Sequence, residues 1–299
     1  MKKKILILGG TGFIGYHLAK ESLKRGFNVT SVSKNNPIKK RYLKNVNYVI
    51  ADISKKNSLK KNLKKNFEYI VNLAGYVDHT NKKKTYLSHY VGCKNITNFL
   101  SKKKIKAFVQ IGSSMEYGFA KSPHKENFKC KPLSIYGKAK FYATKFLLNL
   151  YRKKKFPVTI LRLYQIYGPK QDLNRFIPIV INACKYNLDF PCSHGRQYRD
   201  FLYIDDLIKA IFLILKSSKA RGEIINIGHG IPLKIKDIIN KIANYYKSGN
   251  PQFNKVKLRK EERKKTYPNL NKAKKIIKWD AKIPFSKGLA KTIKYYNGN

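Results

Sequence analysis

Short apolar runs alternate with longer amphipathic stretches over the first half of the chain. "KILIL" (4–8), "NVTSVS" (28–33), "NYVIAD" (47–52), "YIVNLAG" (69–75), "AFVQIGSS" (107–114) and "PVTILRLY" (157–164) have the length and β-branched content of buried strands. Between them, residues 13–25, 55–65, 81–102 and 134–154 carry apolar positions at helical spacing. Strand and helix in alternation predict a parallel sheet covered by helices on both faces, an α/β architecture. Beyond about residue 165 the alternation breaks, and prolines at 169, 178, 191, 232, 251, 268 and 284 cut the chain into short segments. No internal repeat is visible, and 247–255 is the best loop candidate.

The first strand runs straight into "GGTGFIG" (9–15), and the helix pattern begins inside it. Glycine costs about 1 kcal/mol in a helix relative to alanine, so glycines clustered at a strand-to-helix junction ask for a reason. Gly9 suits a tight turn, Gly12 admits a pyrophosphate close to the backbone, and Gly15 lets helix and strand pack closely. The phosphates would then lie at the positive end of the helix. The fold expected is therefore a Rossmann-type doubly wound parallel sheet. Residues 1–165 form its NAD(P)-binding domain, joined by a later sheet strand and helix from about 200–217. Residues 166–299 supply mostly a smaller C-terminal substrate-binding region. At the end of the second strand "TSVSKNN" offers Ser33 and Lys34 where a carboxylate would hold a ribose 2′-hydroxyl. A hydroxyl and a cation there suit a 2′-phosphate, so the cofactor expected is NADP or NAD with a slight lean to NADP. Asp52, ending the third strand, is placed to accept from an adenine amino group or to cap the strand.

Composition narrows this little. With 42% hydrophobic and 13% aromatic residues the chain can bury a sizeable core. Its 65 Lys and Arg against 16 Asp and Glu give a formal charge of +49, which would suit a phosphate backbone. The lysines, however, are spread in twos and threes and rarely interleave with aromatics, as a nucleic-acid stacking platform requires. A solvated surface that steers an anionic small molecule is the favoured reading. The longest apolar runs, such as "AIFLIL" (210–215), fall far short of the ~20 residues of a membrane span, and the lysine-led start lacks the apolar length of a signal peptide. Cysteines 93, 130, 184 and 192 have no metal-ligand spacing, and reduced thiols in a cytoplasmic protein are expected. The histidines at 17, 79, 124, 194 and 229 are scattered and read as surface or helix residues.

The chemistry-bearing stretch is "SIYGKAK", where Tyr136 and Lys140 share one helix face. An ammonium beside the phenol would lower its pKa towards use as an acid or base. Upstream, "VQIGSSMEYG" ends a strand with Ser113 and Ser114, hydroxyls able to hold a substrate oxygen.

With "GGTGFIG", "AD" (51–52), "NLAG" (72–75), "GSSMEYG", "YGKAK", "LRLYQIYGP", "RQYRDFLYIDDL" and "INIGHG" in this order, the chain resembles the extended short-chain dehydrogenase/reductases, the NAD-dependent epimerase/dehydratase family acting on nucleotide sugars. The resemblance runs nearly the whole length and is nearest to the branch holding 4-ketoreductases of deoxysugar nucleotides such as CDP-abequose synthase. It implies Tyr136 as acid/base, Lys140 as its partner on the nicotinamide ribose, and Ser113 on the reacting oxygen. It implies cofactor contacts from Gly9, Gly12, Phe13, Ile14, Gly15, Asp52, Ile53, Leu73 and Ala74. For the substrate it implies Arg199 on the diphosphate, Arg259 and Glu262 on phosphate and ribose, and Asn174 and Arg175 on the nucleotide, with Ser114 near the sugar. It further implies a homodimer through the helices at 81–102 and 134–154.

Two departures bear on the reaction. Ser113-Ser114-Met115 stands where 4,6-dehydratases have Thr-Asp-Glu, which removes the pair that eliminates water. Gln165 and His89 stand where many members have asparagine. The expected function is hydride transfer at a sugar carbon, C4 by preference, of a nucleoside-diphosphate sugar, leaning to a 4-keto-sugar reductase. A UDP-glucose 4-epimerase-like enzyme is the alternative, and a non-catalytic RNA-binding scaffold a distant one. Trp279 reads as a packing anchor for the C-terminal segment.

Overall fold

The computed structural model describes residues 2–63, 66–76, 78, 80–100, 104–258 and 262–298. Its strands are β1 (Lys4–Leu8), β2 (Asn28–Ser33), β3 (Val46–Ile50), β4 (Tyr69–Asn72), β5 (Ala107–Ser113), β6 (Val158–Leu163), β7 (Gln165–Tyr167), β8 (Asp189–Pro191), β9 (Tyr198–Tyr203), β10 (Ile224–Ile227), β11 (Pro232–Lys234), β12 (Asn250–Gln252) and β13 (Lys265–Thr266). The helices are α1 (Phe13–Lys24), α2 (Lys56–Asn62), α3 (Lys82–Tyr86), α4 (Gly92–Leu100), α5 (Ile135–Lys154), α6 (Phe176–Lys185), α7 (Ile204–Lys216), α8 (Ile235–Tyr246), α9 (Asn271–Ile277) and α10 (Phe285–Asn297).

Seven strands form one parallel sheet in the order β10-β6-β5-β4-β1-β2-β3. The period of two along β1 sorts its side chains between two cores. Ile5 and Ile7 join the cluster of Leu18 and Ala19 of α1 and Leu207 and Ile211 of α7. Leu6 and Leu8 join Ile96 and Leu100 of α4 and Ala143 and Leu147 of α5 on the other face. A sheet buried on both sides is what the unbroken apolar runs imply. The strand order turns between β1 and β4, and such a switch point opens a crevice at the carboxyl ends of the strands.

Three expectations about the fold need correction. The strand at Tyr198–Tyr203 does not enter the main sheet; it pairs with β7, β11 and β13 in a second, smaller one. The seventh main-sheet strand is Ile224–Ile227, whose register sets Ile225 beside Leu161. Its sequence "IINI" is apolar enough to be buried at the sheet's flank, whereas β9 carries two buried charged side chains, Arg199 and Asp200. The stretch expected as a single helix at 81–102 is interrupted by a π-helical turn, Leu87–Val91, between α3 and α4. The loop expected at 247–255 contains β12, which pairs with β8. Trp279 is buried and donates its indole N–H to the Asp206 carbonyl at 3.2 Å, anchoring the C-terminal segment as expected.

Candidate active site

The glycine turn fits the switch point by steric necessity. Gly9 has φ +78°, and a Cβ there would lie 2.9 Å from the Ala74 backbone. A Cβ on Gly15 would lie 2.4 Å from the Gly9 carbonyl oxygen. At Gly12 a Cβ would meet only the Gly9 oxygen at 3.3 Å, so the turn is open on the side facing the crevice. The N-terminus of α1 has no side-chain cap and no acidic residue in its first turn, leaving the N–H groups around Phe13, Ile14 and Gly15 for an anion. The cradle therefore fits the pyrophosphate of a dinucleotide. Leu73 and Ala74 close its far wall: the Leu73 N–H donates to the Leu8 carbonyl at 2.9 Å, and the Ala74 N–H donates to Asn72 at 3.2 Å.

At the end of β2, the Ser33 hydroxyl accepts from the Thr11 N–H at 3.3 Å and ties the turn to the second strand. Lys34 is ion-paired with Asp52, Nζ to Oδ2, at 3.1 Å. Burial pushes the Asp52 carboxyl up, but hydrogen bonds from Ser54 and the Lys34 ammonium outweigh it and hold the group below the usual range. Ile53 is committed to the fold: its side chain is buried against Gly92, and its carbonyl accepts from Asn95 at 3.0 Å.

Ser113 ends β5 and caps the short helical turn Ser114–Tyr117. Tyr136 sits in the first turn of α5, whose N-cap Ser134 accepts from the Gly137 N–H at 3.1 Å. A Cβ on Gly137 would lie 2.6 Å from the Met115 carbonyl oxygen, so this glycine lets α5 dock onto the serine turn. The docking brings Tyr136 and Ser113 into a side-chain hydrogen bond. The Tyr136 phenol nevertheless sits above its ordinary pKa, because burial outweighs the Ser113 hydrogen bond and the nearby Arg175. This corrects the expectation of a lysine-lowered phenol. The Lys140 Nζ is 5.8 Å from the Tyr136 ring centre and donates to the Ile111 carbonyl at 2.8 Å. Burial pushes Lys140 down to about 8. His89, on the π-helical turn, meets the Tyr136 ring edge-on at 5.0 Å.

Asn174 and Arg175, with Gln165, Phe176 and Phe201, line a cleft between β7, β9 and the start of α6. Arg199 is buried, its charge disfavoured by desolvation to a pKa of about 10. It is ion-paired with Glu262, so these two residues, expected as separate substrate contacts, hold each other. Arg259 lies outside the described residues, as does His79. Ser114 is half-buried beside Ser113.

The sequence pattern missed two residues. Glu116 is fully buried and ion-paired with Arg162 of β6 at 3.0 Å. The Ser113-x-x-Glu116 capping-box spacing was the available signal. His124, expected near the surface, is buried and stacked on Tyr117 with ring centres 4.5 Å apart, while its Nδ1 is 2.9 Å from the Tyr164 hydroxyl. Burial lowers it to about 4. Among the described residues no cluster of His, Cys, Asp or Glu could hold a metal, and no helix is long and apolar enough to cross a membrane.

A model of the NAD dependent epimerase/dehydratase family matches residues 5–228. The chain belongs to this family. Among family relatives, the human dTDP-D-glucose 4,6-dehydratase is 28% identical over 223 residues, 72% of this chain. That match spans 63% of the human protein, under two thirds of its length. CDP-abequose synthase of Salmonella muenchen is 25% identical over 98% of each chain. The UDP-glucose 4-epimerase of Thermotoga maritima, solved with UDP-glucose, has the same fold, with a TM-score of 0.91 at 22% identity over 99% of each chain. The resemblance to extended short-chain dehydrogenase/reductases is thereby borne out.

Proposed function

We propose that the protein is an NAD(P)-dependent oxidoreductase of a nucleoside-diphosphate sugar, acting at a sugar carbon, C4 by preference, and leaning to 4-keto-sugar reduction. The observation that carries this reading is the hydrogen bond between Ser113 and Tyr136, made where α5 meets the carboxyl end of β5, with β4 alone between that strand and β1, which feeds the glycine turn. The dinucleotide would rest on Gly9, Gly12 and the first turn of α1 and supply or accept a hydride. The Ser113 hydroxyl polarises the sugar oxygen that reacts. The Tyr136 phenol, whose raised pKa keeps it protonated at neutral pH, is set to donate a proton to that oxygen, as a ketone reduction requires. Arg175, close enough to act on the phenol's charge, and the buried Arg199 are suited to the substrate diphosphate. Ser114 and Met115, in place of an acid pair, argue against dehydration.

The 4-epimerase reading is favoured by one observation. Lys34 is already paired with Asp52, which weakens the case for a 2′-phosphate and for NADPH consumed in reduction. Tyr90 and Tyr142, partly exposed with ring centres 5.8 Å apart on neighbouring helical segments, suit a homodimer contact through these helices, as the family resemblance implies.

The test is to denature the purified protein and identify any released dinucleotide by mass spectrometry. NAD+ near one per chain supports the epimerase. An empty site that binds NADPH more tightly than NADH supports the reductase. A protein that neither carries nor binds a nicotinamide dinucleotide, and turns over no nucleotide sugar, defeats both.

A further inference from the structure

Glu116 does more than fill a buried position. Its Oε1 accepts the Ser113 backbone N–H at 2.9 Å. Its Oε2 accepts the Thr144 hydroxyl of α5 at 2.9 Å and the Arg162 Nε of β6 at 3.1 Å, with the Arg162 Nη2 at 3.0 Å. One carboxylate thus joins the serine turn, the helix bearing Tyr136 and Lys140, and the neighbouring strand. The backbone is shaped to admit it. Gly112 lies opposite Arg162 in the β5–β6 register, and a Cβ on Gly112 would sit 2.6 Å from the Glu116 Oε1.

A buried ion pair is a poor way to gain stability. Desolvating both charges offsets their attraction, and an apolar pair of similar size is often as stable or more so. What an apolar pair cannot do is accept the Ser113 N–H and hold α5 by Thr144 at the same time. We propose that Glu116 is a positioning residue: its carboxylate sets the Ser113 hydroxyl against the Tyr136 phenol by fixing the serine turn to α5 and β6. The negative charge also acts on both partners, opposing ionisation of Tyr136 and favouring the ammonium of Lys140. This proposal rests on the function proposed above, in which Ser113 and Tyr136 share the reacting oxygen.

The test uses the full-length protein with its dinucleotide and whichever nucleotide sugar it turns over. E116L/R162M removes both charges together and keeps the interior apolar, so it is expected to fold. Its kcat should fall roughly 10- to 100-fold, the cost of an ångström-scale misplacement, while KM and dinucleotide affinity stay within about twofold. Amide hydrogen exchange at Ser113 should speed up at least tenfold. E116Q/R162M, which restores an acceptor for the Ser113 N–H, should recover most of both. If the apolar pair does not fold, E116D decides: it keeps the charge, shortens the reach to Ser113 and should show the same kcat loss. A folded E116L/R162M with parental kcat, or with unchanged Ser113 exchange, overturns the proposal. Should the unsubstituted protein turn over no nucleotide sugar, the proposed function fails separately, and the exchange measurement still decides whether Glu116 holds the turn.

Discussion

The Lys140 ammonium donates to the Ile111 carbonyl at 2.8 Å, two residues before the serine that ends β5. A buried ammonium held by one carbonyl is under-solvated, which is why Lys140 falls to about 8. In the unfolded chain the same group titrates near 10.5. Between these values the unfolded state binds more protons than the native state, so stability rises with pH. Below pH 8 both states are protonated and the penalty is complete. Relative to Lys140→Met, the protein should gain on the order of 3 kcal/mol between pH 8 and 10.5. Urea denaturation at a series of pH values measures it, and a pH-independent difference between the two proteins would rule the assignment out.

Tyr136→Phe removes one hydroxyl from a half-buried ring that packs against His89. Folding should be little affected, while kcat should drop by about 10²- to 10⁴-fold, the range for a lost proton donor. Steady-state kinetics beside a thermal melt separates the two effects. Near-parental turnover would defeat the proposed mechanism.

Lys34 is largely exposed and paired with Asp52, so its attraction for a 2′-phosphate is divided. Lys34→Ala should weaken NADPH binding by up to about fivefold at low salt, the scale of exposed charge pairs, and leave NADH nearly untouched. Titration calorimetry with both dinucleotides reads the ratio. An unchanged ratio means that Lys34 takes no part in choosing the cofactor.

Arg199 is buried on β9, two residues before the cleft-lining Phe201, and meets only one carboxylate, that of Glu262, among the described ion pairs. Arg199→Gln should weaken CDP and UDP by about 10- to 100-fold, as expected for a charge-assisted contact to phosphate. Cytidine and uridine, which lack the phosphates, should bind as before. Equal loss for nucleoside and diphosphate would show that Arg199 shapes the cleft without touching the anion.

How much of this was legible depends on the range of the interaction. The six early strands and α1 and α5 were visible because apolar period and glycine chemistry are local. Strand partnership was not: β9 and β10 are both short and apolar-rich, and only tertiary pairing sends one to the main sheet and the other to the cleft. Spacing placed Tyr136 and Lys140 on one face, but it could not show that the Ile111 carbonyl would draw the ammonium away from the phenol. Glu116 was hidden for a related reason, since its three partners lie at Ser113, Thr144 and Arg162 and only the first is near in sequence.

The chain leaves the main sheet at Leu163 and rejoins it at Ile224, pairing with the strand it departed from. The cleft-forming β7, α6 and β9 are thus enclosed between two adjacent strands. A fragment cut near residue 165 would leave β6 with an unpaired apolar flank, an edge prone to aggregation. The first six strands therefore do not make a detachable module: the flank of β6 is covered by a strand that follows the cleft-forming elements in the chain.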